Sequence, residues 1–352
     1  MNLQEIIQRI IPPDETAMRT ARERLNALAK PLESLGTLED AVVKLAGIYG
    51  KANFTLGKKA VVVMCADNGV VAQGVSTAGT EVTAIMAAGF TQMQTAVCKL
   101  AEAAGADVIP VDMGMAQEVN VAGLRIHRLG AGTKDFSVVP AMSREQALDG
   151  IGYGAALVAE LAAQGYTILA TGEMGIGNTT TSAACAAVLT SISVANATGR
   201  GTGLSDDALA RKTQVIEDAI ALHAPDAGDP VDVLAKLGGF DIAGMVGLYL
   251  GGAACHMPIV IDGLISSVAA LIAQRICPMA AAYMLPSHLT REPAGAAVMD
   301  ALGMKPFINA GMRLGEGTGA VMGLQLLTMM EHLYTAMPTL GELLITSYKP
   351  KE

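Results

Sequence analysis

At 352 residues, with 51% apolar and only 16% charged side chains, the chain has the material for a large core. Its net charge of −9 and the lack of any Lys/Arg cluster exclude a nucleic-acid-binding surface. Aromatics supply just 3% and Trp is absent, so the core must come from aliphatic side chains and 20 Met packed around 39 Gly.

The opening Met1-Asn2-Leu3-Gln4-Glu5 has neither the basic nor the apolar stretch of a signal peptide. Cys65, Cys98, Cys185, Cys255 and Cys277 are scattered and never form Cys-x-x-Cys, which predicts reduced core thiols in a cytoplasmic protein. Pro13-Asp14 leads into a predicted amphipathic helix, Glu15–Leu28, anchored by Met18, Leu25 and Leu28. After Lys30-Pro31, Thr37 with Asp40 resembles a capping box that opens a second helix, Leu38–Tyr49. Six short apolar runs then read as strands: Ala60–Ala66, Asp107–Val111, Thr167–Ala170, Pro258–Ile261, Ala280–Leu285 and Pro306–Ile308. Helical stretches separate them, notably Arg144–Ala163, Asp206–His223 and Glu292–Leu302. The apolar run Ile242–Cys255 is shorter than the roughly 20 residues a membrane span needs, so it predicts a buried helix. A last helix covers Ala320–Tyr334. Strands alternating with helices predict an α/β fold with a mostly parallel six-stranded sheet flanked by helices. Residues 59–319 are expected to form the α/β domain, and 1–58 to join 320–352 as a small helical domain built from both termini.

Ligands of such sheets bind outside the carboxyl ends of the strands. Asp67, Asp112, Glu173, Asp262, Ser287-His288 and Glu316 each follow one of the predicted strands closely, although an Asp there can simply cap the next helix. Gly172-Glu173-Met174-Gly175-Ile176-Gly177-Asn178-Thr179-Thr180-Thr181-Ser182 leads from a strand into a helix, so glycines and a helix N-terminus could cradle a phosphate. The spacing mimics a P-loop, but Asn178 occupies the lysine position, which argues against an NTPase; a plain capped turn is the alternative. Gly199-Arg200-Gly201-Thr202-Gly203-Leu204 could be a second phosphate loop, with Lys212 as partner or as a solvated lysine. It fails the dinucleotide pattern at Leu204, as Gly317-Thr318-Gly319 does at Met322. In Gly315-Glu316-Gly317-Thr318-Gly319 a carboxylate stands between glycines, where ligand space and desolvation would make it a useful base. A helix-start carboxylate is the other reading. The five isolated histidines and the missing Gly-x-Ser-x-Gly argue against a metal site and a hydrolase.

Ala66-Asp67-Asn68-Gly69-Val70, Gly74-Val75-Ser76, the Gly172–Thr181 loop, Gly199–Asp206 and Arg313–Ala320 together resemble one family through almost the whole chain. It is the nicotinate-nucleotide–dimethylbenzimidazole phosphoribosyltransferase family of cobalamin lower-ligand assembly. The resemblance implies transfer of phosphoribose from nicotinate mononucleotide to 5,6-dimethylbenzimidazole, with inversion at the sugar and no metal or cofactor. It makes Glu316 the proton acceptor. Glu173, Gly175, Gly177, Asn178, Thr179 and Thr180 would hold the nucleotide, with Gly201 and Lys212 at the phosphate. Ser76, Thr80, Ala84 and Leu314 would form the acceptor pocket. It also implies a Rossmann-like domain and a dimer, homo- or heteromeric. The sequence departs from the family pattern at Asn68, in Thr77-Ala78-Gly79 after Ser76, and at Ala84. These changes fall where the acceptor should bind, so phenol or p-cresol, used by a heterodimeric branch, is a second reading. A non-catalytic nucleotide-binding partner subunit is a third.

Overall fold

The computed structural model of the protein describes residues 2–345. Its centre is a sheet of β1 (Lys58–Ala66), β2 (Ala106–Gly114), β3 (Arg125–Ile126), β4 (Tyr166–Met174), β5 (Ile259–Ile261) and β6 (Met284–Pro286). All six strands run parallel, in the order β3-β2-β1-β4-β5-β6. Around them lie α1 (Leu3–Ile7), α2 (Glu15–Ala27), α3 (Thr37–Tyr49), α4 (Glu81–Thr91) and α5 (Ala96–Ala104). The middle of the chain adds α6 (Arg144–Ala163), α7 (Asn178–Thr190), α8 (Val194–Ala197), α9 (Asp206–His223) and α10 (Pro230–Leu237). The last helices are α11 (Phe240–Ala254), α12 (Leu264–Ile276), α13 (Gly295–Leu302) and α14 (Thr318–Ala336). Among the described residues no helix is long and apolar enough to cross a membrane.

Strand β1 shows why the apolar runs carry no visible alternation. Ala60, Val62, Met64 and Ala66 face a cluster containing Ile151, Val246 and Leu271, while Val61, Val63 and Cys65 face another containing Leu45, Val97 and Leu324. Helices cover both faces, so inward and outward positions alike must be apolar. The second cluster also takes in Leu25 and Leu28 near the N-terminus and Tyr334 near the C-terminal end of α14. The two ends join directly: Ala29 donates to the Pro338 carbonyl at 3.0 Å, and Leu340 to that of Ala27 at 2.9 Å.

Four expectations need correction. Pro306–Ile308 forms no strand; it contributes one parallel bridge, His288 to Ile308. The sixth strand is instead the two-residue Arg125–Ile126 on the opposite edge, too short and too polar to show a pattern. Ala280–Leu285 starts as a 3-10 turn over Pro278–Tyr283, leaving only Met284–Pro286 as strand, and the helix expected from Glu292 begins at Gly295. The capping box at Thr37 is absent, because Gly36, at φ 55°, holds the cap position without a side chain. The carboxylate that matters there is Glu39. It is buried and accepts from Lys30 Nζ at 2.8 Å and the Leu35 amide at 3.0 Å. Asp40, three places beyond Thr37, likewise serves a tertiary partner, Arg22 of α2, rather than a cap.

Sheet order places the site. From β1 the chain runs outward to β2 and β3, then returns to β1's other side and continues through β4, β5 and β6. The reversal lies between β1 and β4, and the crevice outside their carboxyl ends is where such folds take ligands.

Candidate active site

A cavity of about 340 Å³ opens at that crevice. Glu316, Glu173, Gly175, Gly177, Asn178, Thr179, Gly201, Ser76 and Leu314 all line it, gathered from separate segments of the chain. Four other expected residues stand outside the lining. Lys212 is not a solvated lysine: it is wholly buried behind the wall, donating to Thr179 Oγ1 at 2.8 Å and the Gly199 carbonyl at 3.1 Å. Thr180 is buried in the first turn of α7. Thr80 precedes α4, and Ala84 is buried on that helix. The side chains of α4 that reach the cavity are Val82 and Met86. Their four-residue spacing, which puts both on one face of a helix, was the available signal.

The strand-end acids divide into two kinds. Asp67 accepts from Thr83 Oγ1 at 2.6 Å and the Ala116 amide at 2.7 Å. Asp112 takes Arg128 at 2.9 Å and the amides of Gly114 and Met115. These two brace loops. Asp262 and His288, at the ends of β5 and β6, line the cavity with Glu173 and Glu316.

Glu316 has an unusual backbone. At φ 61° it lies in the left-handed region, between Gly315 at 89° and Gly317 at 95°. Such a conformation costs a side-chain-bearing residue about 1–2 kcal/mol. Gly315 is required for a further reason: a Cβ there would lie 2.5 Å from Glu173 Oε1. The Glu316 carboxylate accepts the Val97 amide at 3.2 Å, at the open start of α5, where Thr95 provides no side-chain cap. Burial raises its pKa, the Val97 contact lowers it, and the charge of Asp262 raises it again; the net shift is upward.

Glu173 sits deeper. Burial pushes it up to about 8 despite a hydrogen bond from Asn178 Nδ2, and the same amide donates to Asp241 Oδ2 at 2.9 Å. Asp241, likewise buried, is pushed up to about 6. Near neutral pH, burial thus favours the uncharged form of Glu173 over the anion. At the far end, α7 starts at the cap residue Gly177, φ 93°, which has no side chain to offer; the Asn178 and Thr180 amides donate to the Gly175 and Gly177 carbonyls at 3.0 and 2.9 Å, and Gly177, Asn178 and Thr179 line the cavity. Thr202 and Arg313 lie nearby; Arg313 Nη1 donates to the Gly201 carbonyl at 3.3 Å. One end therefore suits an anion. Val75, Val82, Met86 and Leu314 give the cavity apolar lining as well. Among the described residues no set of three or more His, Cys, Asp or Glu is arranged for a metal.

A family model described as "Phosphoribosyltransferase" matches residues 10–343. Nicotinate-nucleotide–dimethylbenzimidazole phosphoribosyltransferase from Acetivibrio thermocellus is 45% identical over 334 residues, 95% of each chain. The chain belongs to this family. The protein of the same name from a Roseiflexus species is 47% identical over 341 residues, 97% of each chain. The crystal structure of CobT from Thermus thermophilus superposes with a TM-score of 0.89 at 35% identity, covering 95% of this chain and all of that one. The protein is thus a phosphoribosyltransferase, and its α/β fold is that of its solved relatives.

The neutral carboxyl in this phosphoribosyltransferase has a consequence for stability. Glu173 keeps its proton in the folded chain up to about pH 8, whereas its ordinary value is 4.5. Between those values the folded state binds a proton that the unfolded state has lost, so its stability contribution falls as pH rises and levels off above about 8. Glu173→Gln, which cannot ionise, should gain in melting temperature relative to the wild type on going from pH 5 to pH 8. An equal difference at both pH values would contradict a buried neutral acid.

Proposed function

We propose that the chain transfers phosphoribose from nicotinate mononucleotide to 5,6-dimethylbenzimidazole, yielding α-ribazole phosphate and nicotinate for cobalamin biosynthesis. The observation that carries this reading is the half-buried Glu316 carboxylate, raised in pKa, on a cavity lined both by the start of α7 and by apolar side chains. In the reaction, the acceptor nitrogen attacks C1′ of the ribose while Glu316 takes the proton from the acceptor ring. The bond from C1′ to the pyridinium nitrogen breaks, and its electron pair stays with the ring as neutral pyridine. Because that leaving group is already good, the protein's task is mainly to position and to remove a proton.

The nucleotide phosphate is assigned to the start of α7 with Thr179 and Gly201. Lys212, lowered to about 8 by burial, would act through Thr179 rather than from solvent. Neutral Glu173 would donate to the sugar-phosphate. The acceptor is assigned to the wall containing Ser76 and Leu314, joined by Val82 and Met86; Thr80 and Ala84 would support it from behind.

That wall offers Ser76 and Glu316 as its polar groups among mostly apolar neighbours, which favours phenol or p-cresol as the second reading. Incubation with nicotinate mononucleotide and each acceptor separates the two. Product with dimethylbenzimidazole and none with phenol is expected; the reverse outcome would transfer the assignment to the phenolic branch. Failure with both would support a non-catalytic partner subunit. A dimer of two copies fits the outer face of α14, where Met322 and Met329 are exposed and Leu326 and Leu333 half-buried along one stripe.

A further inference from the structure

Asp262 ends β5 and is 1% exposed. One carboxylate oxygen accepts the Gly317 amide at 3.1 Å and the other the Ala320 amide at 2.9 Å. Both donors belong to the start of α14, whose cap residue Gly317 has no side chain of its own to offer. A carboxylate at a helix N-terminus satisfies otherwise unpaired amides and opposes the helix dipole. Here the helix begins directly after Glu316. Asp262 therefore grips the peptide next to the one residue of this loop that pays for a left-handed backbone.

The opposite side of the loop is held differently. The Glu316 side chain reaches the Val97 amide at the start of α5, so two helix starts fix this residue, one through its backbone and one through its carboxylate. The ring of His288 packs against the first turn of α14 in the space left by Gly319, where a Cβ would collide with Nδ1. That nitrogen is 3.1 Å from Ser287 Oγ and 4.0 Å from Asp262 Oδ1. Among the described residues His288 is the one basic side chain within ion-pair range of Asp262.

We infer that Asp262, with His288 behind it, is the positioning residue of the site, holding Glu316 through Gly317 and Ala320 in the conformation that turns its carboxylate toward the cavity. This rests on the reading of Glu316 as the base. The groups facing Glu316 are the positive end of α5 and Thr95 on one side, and Asp262 and Glu173 on the other. Those facing Asp262 are His288, Glu173 and the amides of Gly263, Gly317 and Ala320. Of the two carboxyl groups, Asp262 is the one whose charge acts against ionisation of Glu316. A purely structural cap would affect folding alone. A positioning residue also changes proton removal.

The test compares pH profiles of kcat/KM for Asp262→Asn, His288→Gln and the wild type with the same acceptor, beside melting temperatures and a Glu316→Ala control. The control must lose turnover; if it does not, the base reading fails and the question of Asp262 falls with it. Given that loss, Asp262→Asn should lower kcat by about tenfold or more with the nucleotide KM within about threefold, because the constraint acts on geometry rather than on binding. Its acidic limb should move to lower pH by about half a unit or more, as a neighbouring negative charge is removed. His288→Gln, which takes away the countercharge, should move that limb to higher pH. Limbs that stay in place in folded variants would overturn the inference. If Asp262→Asn does not fold, an unmoved limb in His288→Gln overturns it alone.

Discussion

Replacing Glu316 by Ala should cut turnover by about 10²–10⁴-fold, the usual worth of a positioned general base, while nicotinate mononucleotide still binds. The nucleotide is assigned to the α7 end of the cavity, and the Glu316 side chain points instead to the start of α5. Glu316 also caps α5 through the Val97 amide, so the Ala variant should lose about 1 kcal/mol of stability as well. A second variant separates the two roles. Glu316→Gln keeps an oxygen for Val97 but cannot accept a proton in the working range. It should lose turnover nearly as fully as Ala while melting closer to the wild type. Turnover retained in Gln and lost in Ala would make Glu316 a helix cap and remove it from the chemistry. Isothermal titration with the nucleotide alone checks the binding half: affinity lost in both variants would place Glu316 at the donor instead.

Gly172→Ala should be almost as damaging, although Gly172 makes no assigned contact with substrate. It lies in β4, paired with Val63 of β1. An added Cβ would fall on the Glu316 carbonyl oxygen, 2.9 Å from the Glu316 carbonyl carbon and 3.2 Å from the Gly317 Cα. These are backbone atoms, held by Asp262 from the other side, so the clash cannot be relieved by turning a side chain. The loop must move away from the sheet, and a displacement on the order of 1 Å costs about 10²-fold in a positioned reaction. The expected signature is a drop in kcat larger than any rise in the nucleotide KM, measured by initial rates over both substrates. Near-wild-type kcat in a folded variant would mean that the loop tolerates displacement and that its close packing on β4 is incidental.

Much of this architecture was legible because it follows from short-range rules. The runs in β1 and β4 are apolar at every step because helices cover both faces, and the long helices Arg144–Ala163 and Asp206–His223 fall where their periodicity and caps put them. The glycines around Glu316 and Glu173 were visible as places where a backbone must turn or be approached. What failed was short or long-range. Arg125–Ile126 is two residues long and becomes a strand only because β2 lies beside it. Pro306–Ile308 has strand composition but meets only His288. Lys212 was open to two readings, a phosphate partner or a solvated lysine, and only the loop at Gly199 closing over it removes the second.

By itself, the sequence determined the alternation of strands and helices and the identity of the acidic and glycine-rich segments that follow the strands, since hydrophobic period and glycine placement are local properties. Only the tertiary structure decided which strand-end acids brace loops and which face the cavity. Asp67, Asp112 and Asp262 are alike in sequence, each an Asp in or just after an apolar strand. They differ in what the sheet order sets beside them: Thr83 and Ala116 for the first, Arg128 for the second, and for the third the start of α14 and the backbone of Glu316.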